Sequence, residues 1–178
     1  METLQPQQLA AEGQAEYKQG KYLSAAMLFK AAADGFLARG DELQAAEMAN
    51  NCSVAYLKAG EAKSALEAAA RTDQIFSSKG DCKRQAMALG NQAAALEQLK
   101  RLDEAISAYT RSAELFNNLG EYELRAYVLQ SLSALKLRKG RYLEAYATMR
   151  AGVMGVNKPS LQQKLLKVLV DIPFKFLK

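Results

Sequence analysis

Histidine, the usual general base near neutral pH and the commonest protein metal ligand, is absent from this sequence. Two cysteines, Cys52 and Cys82, stand thirty residues apart and form neither a CxxC pair nor a disulfide framework. Cys52 falls in a helical packing register beside Ser53 and reads as a small apolar core residue. Cys82 falls at an expected helix start, where a thiol can be acidified, but no histidine exists to activate it. The acidic pairs Asp41-Glu42 and Asp103-Glu104 sit at turns, where the helix dipole favours negative charge. No glycine-rich loop follows a strand, because no strand is predicted. Asn51-Cys52-Ser53 matches the glycosylation triplet, but it lies inside a helical segment of a chain that begins without a signal-peptide pattern. These residues predict no enzyme, no metal, no cofactor and no small-molecule substrate.

The chemistry being so sparse, the elements become the message. The chain has 178 residues, 49% hydrophobic and 24% charged, enough to fold around one core or one short stack of repeats. Prolines occur only at 6, 159 and 173, and 32 residues are alanine, the best helix former. No run of 18 apolar residues exists to span a membrane, and the expected compartment is the cytoplasm.

Gly20, Gly40, Gly60, Gly80, Gly120 and Gly140 keep a twenty-residue period, with Lys100 in place of the missing member. Glycine stops a helix cheaply by turning left-handed, and Asp41 and Asp81 can cap the next helix. The pattern predicts helices of roughly seventeen residues, each about 25 Å long. Two helices make one forty-residue unit. Ala25, Ala65, Ala105 and Ala145 share a register. So do Phe29, Ala69, Tyr109 and Met149; Phe36, Phe76 and Phe116; and Ala46, Ala86 and Ala126. Repeating alanines mark close helix approaches, and repeating aromatics fill the space beside them. A stacked solenoid demands such a register, whereas a simple bundle does not. The expectation is an all-α, right-handed superhelix of four hairpins at about 5–39, 40–79, 80–119 and 120–157, forming one domain. A capping helix at about 159–172 and a tail to 178 would complete it.

These residues resemble a tetratricopeptide repeat protein in a longer, forty-residue form. Repeat three carries the likeness best, through Leu89, Ala93, Leu96, Ala105 and Tyr109. The others depart at Glu16, Ala69, Lys136 and Met149. The spacing also looks like that of adaptors which attach to vesicle-fusion complexes. The resemblance implies non-catalytic binding of a protein or peptide in a concave groove lined by the first helix of each repeat. The matching positions are Gln14, Asn50, Asn51, Asn91, Gln130 and Ser131. Amides one repeat apart, as at Asn51 and Asn91, suit an extended peptide because each both donates and accepts. The bland alternative is amides bonding to the neighbouring hairpin. The clamp that chaperone-binding members use for a terminal carboxylate is not carried over. Ala10, Gln14, Met87 and Asn91 replace its cations and first asparagine, leaving a carboxylate without a counter-charge.

Charge is uneven. Residues 1–135 carry a net −3 and residues 136–178 a net +8. A basic surface is expected at Arg138, Lys139, Arg141, Lys164 and Lys167. Leu161, Leu165, Val168, Leu169 and Ile172 fall at helical spacing and read first as a cap over repeat four. The sharper expectations are a homodimer sealed by this segment, or an anionic membrane surface on which the protein would sit peripherally. A nucleic-acid partner has charge alone in its favour, with no aromatic–basic platform beside it.

Overall fold

A computed structural model describes residues 5–154. These fold into helices α1 (Pro6–Lys18), α2 (Tyr22–Ala38), α3 (Glu42–Ala59), α4 (Ala62–Ala68), α5 (Thr72–Ser78), α6 (Cys82–Gln98), α7 (Leu102–Asn118), α8 (Tyr122–Arg138) and α9 (Tyr142–Val153). The protein is thus all-α, built by helix-on-helix packing. Two compact units divide it, Met1–Ala105 and Ile106–Lys178. The C-terminal helix expected at 159–172, the tail to 178, Lys164 and Lys167 lie outside the described residues.

The glycine period is the turn code. All six periodic glycines have positive φ, between 70° and 83°, and Lys100 copies them at 63°. Each turn closes with the same bond. The N–H of the residue after the turn reaches back to the carbonyl five before it, as in Glu61 to Tyr56 at 2.9 Å and Arg101 to Leu96 at 2.9 Å. This satisfies carbonyls that a helix end would otherwise leave orphaned. Asp41 accepts from the Gln44 N–H at 3.1 Å, and Asp81 from the Arg84 N–H at 2.9 Å, so both cap their helices as their positions suggest.

The repeating registers are the core. Ala25, Ala65, Ala105 and Ala145 are all fully buried. Ala46, Ala86 and Ala126 are buried, as are Phe36, Phe76 and Phe116. Burying each phenylalanine contributes roughly 1.5–3 kcal/mol. In the first unit Phe29 lies against Gly13, where a Cβ would come within 3.0 Å of its ring. Gly35 does the same for Pro6 at the start of α1, where a Cβ would meet the proline ring at 2.7 Å. The second unit packs α8 against α9, with Gly152 admitting the Leu129 side chain at 3.2 Å from a built Cβ.

One expectation fails. The segment 62–78 is not a seventeen-residue helix but two seven-residue helices, α4 and α5. The backbone leaves the helical path at Ala69, and Arg71 turns left-handed with φ of 62°. The cause lies in the side chains that the core presents there, which belong with the site.

Candidate partner-binding site

In the first unit, α3 and α6 carry the amides that the register singles out. Asn50 is buried on α3, and Asn51 beside it is half-buried. Asn91 on α6 is half-buried and donates its Nδ2 to Asn50 Oδ1 at 2.9 Å. The pair thus bonds to the neighbouring hairpin, the bland alternative to peptide contact. The bond uses one acceptor of Asn50 and one donor of Asn91, leaving the Asn50 amide donors and Asn91 Oδ1 in hand. Asn51 makes no side-chain hydrogen bond among the described residues. Gln14 stands exposed on α1.

About two turns before Asn91, Arg84 ties α6 to two neighbours. Its Nε donates to Asp81 Oδ2 at 2.6 Å and its Nη1 to Glu47 Oε2 at 2.7 Å, and the guanidinium lies 5.4 Å over the Phe76 ring. The backbone N–H of Arg84, and then its guanidinium, hold the Asp81 carboxyl below the usual carboxylate range. Asp81 in turn strengthens the protonated state of Arg84. The charge at this corner is committed to fixing helices.

Behind Asn91, Gln92 faces the break between α4 and α5. Its Nε2 donates to the Ala69 carbonyl at 2.9 Å and to Asp73 Oδ1 at 2.9 Å. Thr72 Oγ1 donates to the same carbonyl at 2.8 Å. Thr72 and Asp73 are both buried. The forty-residue register places Gln92 where Cys52 and Leu132 stand, and Ala69 where Phe29 and Tyr109 stand. A polar side chain in a core position needs a partner, and the broken helix offers a freed carbonyl. This polar group was not foreseen as a set. The exchange of an aromatic for Ala69 was the visible signal.

Cys52 is buried, and its Sγ donates to the Ala26 carbonyl at 3.2 Å. Burial pushes the thiol up to about 11, the opposite of what a nucleophile needs. A cleft of about 350 Å³ lies beside it, lined by Lys30, Asp34, Tyr56 and Glu67 among others. Cys82 is half-buried at the first position of α6. Among the described residues no group of three His, Cys, Asp or Glu is placed to hold a metal ion.

In the second unit, Gln130 is exposed and Ser131 half-buried on α8. Arg138, Lys139 and Arg141 cluster at the α8–α9 turn, where Arg141 pairs with Glu144 at 2.5 Å. The Arg141 hydrogen bond, with help from Lys136, lowers the Glu144 carboxyl. Tyr142 and Leu143 project beside these cations, 69% and 86% exposed. Lys136 is instead turned inward to Thr148 Oγ1 at 3.0 Å. Among the described residues, no helix is long and apolar enough to cross a membrane.

Residues 8–172 match the family described as soluble NSF attachment protein, SNAP. The chain belongs to the SNAP family. Comparison with curated proteins finds no match. Membership corrects the tetratricopeptide assignment and the repeat-family label that went with it. The physical reason is plain. Small residues at helix crossings, aromatics beside them and glycine at turns are what any stack of helical hairpins requires. The tetratricopeptide repeat is also about 34 residues long, and the period here is forty. SNAP-family proteins are non-catalytic protein–protein adaptors, and this chain is one.

Proposed function

We propose that the partner surface of this SNAP-family adaptor lies on α3 and α6 of the first unit, with Asn51 and Asn91 as its polar contacts. The observation that carries this reading is the half-buried Asn51 amide, with no side-chain hydrogen bond among the described residues, beside the Asn50–Asn91 pair on adjoining first helices. Half-buried amides of this kind can bond the backbone of an extended segment without selecting its charge. Gln14, Gln130 and Ser131 are the matching positions on α1 and α8 and are secondary to it. The family name states attachment to NSF, which makes purified NSF the first partner to test. Calorimetry should show affinity falling about tenfold, or roughly 1.4 kcal/mol, in Asn51→Ala with Asn91→Ala, at unchanged circular dichroism. Unchanged affinity moves the site off these helices. If the wild-type chain leaves NSF unbound, the same pair of chains serves as bait in native lysate.

The identical register of four hairpins supports a finer reading of the fold, a right-handed superhelix making one domain of 1–178. A second reading of the interface rests on exposed Tyr142 and Leu143, which follow Arg138, Lys139 and Arg141 in the chain. Exposed tyrosine and leucine next to cations in the chain suit an anionic membrane surface, and they equally suit burial in a homodimer. Sedimentation with anionic and neutral liposomes, and light scattering over a concentration series, separate the two. A monomer indifferent to anionic liposomes removes both.

A further inference from the structure

Ala68-Ala69-Ala70-Arg71 is among the strongest helix-favouring runs in the sequence. The helix nonetheless stops inside it, and Arg71 takes a left-handed backbone without being glycine. Local preference and observed conformation disagree, so the bend is imposed from outside the segment. The Gln92 amide reaches into the break from α6, to the Ala69 carbonyl and to Asp73, at 2.9 Å each. In an unbroken helix that carbonyl would accept from the Asp73 N–H. Here it accepts instead from Gln92 Nε2, from Thr72 Oγ1 at 2.8 Å and, at 3.3 Å, from the Thr72 N–H.

We propose that residues 62–78 form a two-state element, bent while the Gln92 amide holds the Ala69 carbonyl and a single straight helix once that hold is released. Each half has seven residues, too few to sustain a helix alone, so fusing them restores the cooperativity that the bend gives up. Release returns Arg71 to right-handed backbone and gives the Ala69 carbonyl its ordinary partner. The element joins α3 to α6 in the chain, so its state sets the path between the helices that carry Asn51 and Asn91. The two states themselves require nothing of any partner.

The test uses the full chain without ligand and compares it with Gln92→Leu by Cα chemical shifts and amide exchange. The expected result is a right-handed helical shift at Arg71 and at least tenfold slower exchange at the Asp73 amide. An Arg71 that stays left-handed, or faster exchange through 69–73, overturns the proposal. Should Gln92→Leu fail to fold, Arg71→Gly decides. It keeps the latch and favours only the bent state, so the melting temperature should hold or rise. A fall would mean that the chain already lies mainly straight, against the proposal.

Discussion

Between α2 and α3 the first unit is sealed by Phe29, Ala32, Phe36 and Cys52, all buried and apolar in character. Forty residues on, the matching places hold Ala69, Thr72, Phe76 and Gln92, and the helix that should be continuous is broken. Beside the apolar seam α2 runs unbroken for its full seventeen residues. The polar seam trades an aromatic for hydrogen bonds and a bend. A glutamine is tolerated in a core only when its amide is satisfied, and a broken helix is tolerated only when its freed carbonyl is. Each defect removes the cost of the other. Two seams built on one register can therefore differ in rigidity without differing in architecture.

That contrast breaks most readily on the apolar side. Phe29→Ala should lower stability by about 3–5 kcal/mol, because the ring fills space that Gly13 leaves open and nothing nearby can refill it. Urea denaturation measures it, and a loss under about 1 kcal/mol would show that the aromatic does not hold this seam. The next effect concerns Cys52. Its thiol is raised by burial from 9.0 to about 11, so the folded state resists losing the proton. The stabilisation is complete below about pH 9 and is lost as pH rises through 11, by roughly 2–3 kcal/mol. Cys52→Ala should flatten that part of the pH profile, and at pH 8 alkylation should reach half-buried Cys82 first. On the polar side, Thr72→Val removes one bond to the Ala69 carbonyl and should cost about 1 kcal/mol. An equal or greater stability in Thr72→Val would mean that this bond does not support the bend.

Most of the fold was legible because it repeats. The glycine period placed every turn but the break at 69–71, and the alanine and phenylalanine registers named core residues that are indeed buried. Asp41 and Asp81 were readable as caps from position alone. The break at 69–71 was not readable, because its sequence favours helix and its cause sits twenty residues away at Gln92. The proposed site was half legible. The register singles out Asn50, Asn51 and Asn91, but which amide pairs with which depends on the crossing of α3 and α6, and no periodicity encodes that. Family membership was obscured for the opposite reason, since the features that repeat are generic to stacked hairpins. The buried serines show the same limit. Ser133 donates to the Ala145 carbonyl at 2.9 Å, whereas Ser53, its register mate, is buried with no hydrogen-bond partner.

The smallest effect expected is the most discriminating about local conformation. Lys100 and Arg71 are the two residues other than glycine with positive φ among the described residues. They differ in what imposes the strain. Lys100 sits in an ordinary helix-ending turn, closed by the Arg101 to Leu96 bond that the glycine turns share. Lys100→Gly should therefore stabilise by about 0.5–1 kcal/mol, since relief of the left-handed penalty exceeds the added freedom of the unfolded chain. Gly60→Ala should cost about 1–2 kcal/mol for the mirror-image reason, although a Cβ at Gly60 meets open space and no clash contributes. Thermal melts of both read backbone strain free of packing. If Lys100→Gly gained nothing, the left-handed penalty would be no larger than the cost of the added freedom in the unfolded chain, and left-handed strain at Arg71 would no longer argue for a bend imposed from α6.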